Sequence, residues 1–245
     1  MCDIIASFQK AGGENMKLII AGIGFADLIT LRALRAAQNA DMILVPRSKD
    51  GEQGYAEPFI AELLPERKYR HIHFPMTHDA ARRNAEILTQ LEAMSGDLEN
   101  AGSIFFPVIG DAMLYSTGEY LQEAMTELFP DMETEFIPGI SAHSLAASIA
   151  HRYLAMRDEI LAVIPGTAPL SKIMLALDGC ECAAIYKPSA LLEIEQLADD
   201  FRIKNFGHIV RVDYAGIPER ERVIEGDKAL KNISEYMSII LIWRD

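Results

Sequence analysis

The sequence predicts an α/β fold in two units, and three observations carry that prediction. Short apolar runs bounded by Gly, Pro or Asp recur along the 245 residues, as buried strands do. Segments of helical period separate most of them, the alternation that sets helices against largely parallel sheets. Half of the residues are hydrophobic, enough for one large core or two modest ones, and the length favours two.

In chain order, residues 1–15 read as a polar, Gly-containing arm, with Met16 a candidate natural start. Strands are expected at Leu18–Ala21, Met42–Val45, Ile104–Ile109, Thr134–Ile137, Ile160–Ile164, Ala183–Tyr186, His208–Val212 and Ser238–Trp243. Helices are expected at Ile29–Ala40, Ala80–Met94, Gly118–Leu128, Ser144–Ile149, Leu170–Leu177 and Leu191–Phe201. The stretch from Gly96 to Gly110 reads as the hinge. It gives an N-terminal unit over 16–105 with three strands begun in the first half of the chain, and a C-terminal unit over 106–245 with the rest.

Charge and composition exclude several classes. A formal net charge of -13 opposes binding through nucleic-acid phosphates, so no nucleic-acid partner is expected. No apolar run approaches the ~20 residues of a membrane span, so no membrane partner is expected. Cys2, Cys180 and Cys182 fit neither a disulfide framework nor a four-ligand zinc site, which points to a reducing, cytoplasmic setting. The histidines His71, His73, His78, His151 and His208 are scattered, and no metal is expected.

The chemistry-bearing residues sit where strands end. Gly110-Asp111 closes the run Ile104–Ile109 and leads through Met113, Tyr115, Ser116 and Thr117 into a helix. Gly110 permits a sharp turn, Asp111 can cap or accept from a ribose or amine, and the hydroxyls add short donors. Taken alone, this is also an ordinary strand-to-helix connection. Gly22-Ile23-Gly24 follows the first strand but lacks the third Gly of a dinucleotide fingerprint, having Asp27 instead. Val45-Pro46-Arg47-Ser48-Lys49 puts cations and a hydroxyl on a loop suited to a carboxylated ligand. Pro138-Gly139-Ile140-Ser141-Ala142-His143 is another such turn, and not a nucleophile elbow. Lys187 with Pro188-Ser189, and Ala215-Gly216-Ile217-Pro218, are further Gly- or Pro-bearing exits. Exits that converge on one sheet edge form ligand pockets.

In this order the motifs resemble the S-adenosylmethionine-dependent tetrapyrrole methylases of cobalamin biosynthesis. The likeness rests on Gly22-Ile23-Gly24, Asp41 to Ser48, Phe74-Pro75-Met76-Thr77, Gly110 to Leu121, Ile137 to Ser141 and Ala215 to Glu219, and spans Met16 to Asp245. Val-Pro-Arg-Ser, Phe-Pro-Met-Thr and Leu-Tyr-Ser-Thr together look like the branch that methylates C20 of precorrin-2 or cobalt-factor II. The resemblance implies the two-domain class III methyltransferase fold with the active cleft between domains, a homodimer, and a small-molecule tetrapyrrole acceptor. It implies donor contacts at Gly110, Asp111, Met113, Tyr115, Ser116 and Thr117, then Ser141 and Ala142, Lys187, and Ala215, Gly216, Ile217 and Pro218. The methyl donor S-adenosylmethionine would leave as S-adenosylhomocysteine, and catalysis would be mainly alignment. The acceptor would lie near Arg47 and Ser48, with Lys49, Arg32 or Arg35 completing a positive rim.

Two departures concern the acceptor side more than the donor. The family's first loop reads Gly-x-Gly-Pro-Gly-Asp-Pro, whereas here Gly24 is followed by Phe25-Ala26-Asp27-Leu28, about two residues shorter. Asp27 is the candidate for the missing acid. Ala112 also replaces the usual Pro after Gly-Asp. The shortened loop keeps two alternatives in view, methylation at another macrocycle position and a ligand-binding relative without activity.

Overall fold

Five strands of the first unit pair edge to edge in parallel, and their exits set the site. The computed structural model describes residues 15–47, 54–67, 69–75, 77, 79–191, 194 and 197–245. Ser48, Lys49, Met76, His78, Cys2 and all but the last residue of the expected arm lie outside the described residues. The chain divides into two units, one ending at Ile140 and the other running from Ser141 to Asp245.

The first unit holds β1 (Lys17–Ile23), β2 (Met42–Arg47), β3 (Tyr69–His73), β4 (Ser103–Ile109) and β5 (Glu133–Ile137), in the order β3-β2-β4-β1-β5. Every pairing is parallel. Among the described residues, five helices join them: α1 (Leu31–Asn39), α2 (Ala56–Leu63), α3 (Ala80–Ala93), α4 (Ser95–Asn100) and α5 (Gly118–Leu128). Alternate residues of β1 and β4 are buried on opposite faces. Leu18, Ile20, Ile104 and Phe106 pack with Ile87 and Leu91 of α3 and Leu121 and Met125 of α5. Ile19, Ala21, Ile23 and Phe105 pack with Ala33 and Ala37 of α1 and Ile60 of α2. Burial of each large apolar side chain contributes about 1.5–3 kcal/mol, so strands covered on both faces are firmly held. Their apolar runs are continuous for the same reason. Helix starts are set locally: the Thr30 hydroxyl accepts the Ala33 N–H at 3.2 Å, and Asp79 accepts that of Arg82 at 3.1 Å.

The second unit holds β6 (Leu161–Pro165), β7 (Cys182–Tyr186), β8 (Phe206–Asp213), β9 (Arg222–Glu225) and β10 (Ser238–Arg244), in the order β6-β7-β10-β8-β9. One face packs on α6 (Ala142–Ile149) through Ala146 and Ala147. The other packs on α7 (Leu170–Asp178) and α8 (Leu197–Ile203) through Ile173, Leu177, Leu197 and Phe201.

Three expectations are corrected. The unit boundary falls after Ile140 and not at 105/106, because β4 pairs along its whole length with β1, from Lys17↔Ser103 to Ile23↔Ile109, and β5 pairs with β1 as well. Both strands therefore complete the first sheet. The second sheet is not largely parallel: only β6 and β7 run together, and the pairings of β10 with β7, β10 with β8 and β8 with β9 are antiparallel. Two strands absent from the expected set, β3 and β9, are sheet edges with polar, half-exposed sequences, so neither produces an apolar run.

Candidate functional site

Topology marks the loop after β4. The connections leaving β1 and β2 go to the face covered by α1 and α2, while the one leaving β4, which lies between them, goes to α5 on the opposite face. Adjacent parallel strands whose connections diverge open a crevice beyond their carboxyl ends, the place where open α/β sheets bind ligands.

Three glycines are pressed together at that edge. A Cβ at Gly22 would stand 2.4 Å from the Gly110 carbonyl oxygen and 2.5 Å from the Gly139 nitrogen. One at Gly139 would stand 2.0 Å from the same carbonyl oxygen. Gly110 itself has φ of +86°. The exits of β1, β4 and β5 thus meet backbone to backbone, and a side chain at Gly22 or Gly139 would part them. Asp111 fastens the junction: one carboxylate oxygen accepts the Met113 N–H at 2.9 Å and the other accepts the Gly139 N–H at 3.3 Å. It is built as a clamp on the loop, in addition to any ligand contact.

Beyond the clamp, Ala112 is buried in the core while Met113 and Tyr115 are turned outward, 65% and 44% exposed. Tyr115 adopts φ of 52°. The Ser116 hydroxyl accepts the Gly118 N–H at 2.9 Å and so opens α5. The result is a surface of backbone groups, a thioether and an aromatic ring with few unspent hydrogen-bonding side chains.

On the acceptor-side candidates, the short loop after β1 is filled by Phe25, 3% exposed, whose ring meets Phe59 edge-on at 4.3 Å between centroids. Asp27 is exposed, on the turn Ala26–Leu28. Arg47 ends β2, and its guanidinium forks onto Glu57 of α2, Nη2 at 2.9 Å from both oxygens and Nε at 3.1 Å. His71 of β3 reaches the same carboxylate at 3.0 Å. Burial raises the Glu57 carboxyl, but hydrogen bonds from Arg47 and His71 outweigh it and hold the group below its ordinary range. Arg32 is likewise engaged, at 2.5 Å from Glu135, which Lys17 also meets at 2.6 Å. The expected positive rim is therefore internally balanced at Arg47 and Arg32.

In the second unit, the registers Pro165↔Tyr186, Ile239↔Tyr186 and Ile239↔Val212 run straight across the sheet. The exits of β6, β7 and β8 consequently leave from one edge. There Lys187 takes a left-handed conformation, φ of 51°, and Gly166 is pressed on it: a Cβ would stand 2.5 Å from the Lys187 carbonyl oxygen. The Tyr186 hydroxyl accepts the His143 N–H at 3.3 Å and meets His143 Nδ1 at 2.7 Å. Ser141 precedes α6 in extended backbone and its side chain does not cap the helix. Ala142, Tyr186 and Ala215 are partly buried against the same apolar cluster. Among the described residues, no group of three or more His, Cys, Asp or Glu side chains is placed to hold a metal ion. No helix of the described residues is long and apolar enough to cross a membrane.

The family described as Tetrapyrrole (Corrin/Porphyrin) Methylases matches residues 17–229. The chain belongs to that family. A cobalt-precorrin-2 C(20)-methyltransferase of Salmonella typhimurium is 32% identical over 167 residues, 68% of this chain and 69% of that protein. A precorrin-2 C(20)-methyltransferase of a Sinorhizobium species is 28% identical over 175 residues, 68% and 70% of the two chains. The solved structure of a cobalt precorrin-4 methyltransferase superposes with a TM-score of 0.67 at 20% identity, covering 93% of this chain and 95% of that one. The fold and family expected from the motifs are those found.

Several residues of this tetrapyrrole methylase escaped sequence reasoning. Glu57 and His71 are separated from Arg47 by ten and more positions and meet it only through the β2–β3 pairing and the return of α2. Tyr186, Asp213 and Glu235 carry no local motif either. His71 and His73 lie on the edge strand β3.

Proposed function

We propose that this chain transfers the methyl group of S-adenosylmethionine to C20 of precorrin-2 or its cobalt complex. The observation that carries the reading is the crevice loop Gly110–Thr117, clamped by Asp111 at the carboxyl edge of a parallel sheet, in a tetrapyrrole methylase whose relatives are named for that position. When bound, the donor supplies a methyl group on a sulfonium that leaves as a neutral thioether.

The residues support that chemistry in stated ways. Gly110, Asp111, Met113, Tyr115, Ser116 and Thr117 form a pre-set backbone cradle, and a chain of net charge -13 favours a cationic ligand over its neutral product. In the second unit Ser141, Ala142, Lys187 and Ala215, Gly216, Ile217 and Pro218 are proposed as donor contacts. Holding methyl carbon, sulfur and acceptor carbon in line converts binding into rate, worth several kcal/mol, and asks for no strong base before attack. The tetrapyrrole carbon forms the new bond, the carbon–sulfur pair stays with sulfur, and the C20 proton is lost to water or buffer.

Arg47, Ser48 and Asp27 are proposed on the acceptor side. With Glu57 already forked on Arg47, an acceptor carboxylate would share the guanidinium's remaining N–H groups. We also propose a homodimer, as the resemblance implies, in a reducing, cytoplasmic setting, which free buried Cys180 and Cys182 support. Single-turnover incubation with donor and precorrin-2, followed by mass spectrometry, should give a gain of one methyl group per tetrapyrrole with equal S-adenosylhomocysteine release. Donor binding without any gain on either acceptor would reject the reading.

A further inference from the structure

The turn that follows β8 is held from beneath by charges that no motif announces. Asp213, the last residue of β8, is fully buried. Its carboxylate accepts the Ser238 O–H at 2.6 Å and lies 3.1 Å from Arg211 Nε and 3.4 Å from Arg222 Nη2. The same Nη2 donates to Glu235 at 2.8 Å, and the second Glu235 oxygen accepts the Tyr214 O–H at 2.6 Å. Arg222, Glu235 and Tyr214 thus form one chain of charge-assisted hydrogen bonds, and Arg222 also lies within ion-pair reach of the buried Asp213, whose Oδ2 accepts no hydrogen bond among the described residues.

Tyr214 is the residue this chain restrains. Its backbone is left-handed at φ of 52°, its side chain is 4% exposed, and the Arg220 guanidinium lies 3.6 Å over its ring. Immediately after it the main chain turns: Ile217 N–H reaches the Tyr214 carbonyl at 3.0 Å, and the Glu221 carboxylate accepts the Gly216 N–H at 2.8 Å. The conformation of Ala215–Pro218 is therefore fixed at Tyr214 from one side and at Gly216 from the other.

We propose that Tyr214, Arg222 and Glu235 are positioning residues for the methyl donor, acting by holding the left-handed turn that presents the backbone of Ala215–Pro218. The inference rests on the reading of Ala215–Pro218 as donor contacts. A residue that pre-sets a binding backbone changes affinity for ligand in ground and transition states alike, so its signature is a shift in KM without a shift in kcat.

The test uses the full chain and S-adenosylhomocysteine as probe. Tyr214→Phe removes one hydroxyl and leaves the ring under Arg220. Its affinity for the probe by calorimetry should fall roughly tenfold or more, the scale of one hydrogen bond to a charged partner. Donor KM should rise by the same factor, with kcat at saturating donor and acceptor KM unchanged. Glu235→Gln keeps an acceptor for the Tyr214 O–H and should lose less. Wild-type affinity in Tyr214→Phe overturns the proposal, and so does a variant that melts several degrees lower and loses donor and acceptor affinity alike, since that marks a merely structural role. Hydrogen exchange of the unaltered protein separates this from the underlying reading. Probe binding that fails to protect residues 214–221 rejects the donor assignment itself, whereas protection there together with a normal Tyr214→Phe rejects only the positioning role.

Discussion

Asp111 spends both carboxylate oxygens on backbone N–H groups, which makes it a measurable joint between two strand exits. Asp111→Ala frees the N–H groups of Met113 and Gly139, and the loss of bonds to a charged acceptor costs about 1.5–3 kcal/mol. Donor KM should rise about tenfold or more by that reckoning, with Asp111→Asn milder because it keeps one acceptor; initial-rate kinetics decide it. Glu57 predicts a pH effect. Its folded carboxyl lies below the ordinary 4.5, so its contribution is complete above that value and is lost as pH falls through the lowered one. Thermal melts taken down through the carboxylate range should show Glu57→Gln less stable at neutral pH and with a flatter acid limb. Cys182 is 1% exposed and burial pushes its thiol up to about 11, so iodoacetamide followed by peptide mapping should leave it unmodified until the protein unfolds. The Gly-Asp pair was readable in the sequence because a backbone requirement confines a position to few residue types. Glu57 was not, because its role is made by partners brought in from other elements.

Elements were legible where burial is two-sided. β1 and β4 are apolar throughout because helices cover both faces, and the sequence signal is strong for that reason. β3 and β9 bury little and gave no such run. The meeting of β1, β4 and β5 is the element-scale feature that most restricts substitution. Gly139→Ala sets a Cβ 2.0 Å from the Gly110 carbonyl, with backbone on both sides and nothing to yield. A cost of about 3 kcal/mol follows from overpacking, which lowers Tm by roughly 6–12 °C in a domain of this size. Gly179→Ala is the control: a Cβ there meets nothing within 4 Å, and its Tm should stay close to the parent's. An unchanged Tm in Gly139→Ala would show that the exits are looser than this packing requires.

At the scale of the whole chain, the order of strand exits was more informative than any one of them. Each Gly- or Pro-bearing turn has an ordinary structural explanation, but the turns after β1, β4 and β5 meet in one unit, and those after β6, β7 and β8 share one edge in the other. The division between units was not legible, because a boundary drawn at Gly96–Gly110 takes the loop before β4 for a hinge. Parallel pairing with β1 makes that loop internal to the first sheet. Neither the filling of the shortened first loop by Phe25 nor the pairing of Arg47 with Glu57 was legible. The most direct measurement is the carbon that receives the methyl group. The protein is incubated with S-adenosylmethionine carrying a carbon-13 methyl label and with either precorrin-2 or its cobalt complex, and the product is read by NMR. One labelled methyl at C20 on at least one acceptor is the predicted result, and a label at any other carbon would contradict it.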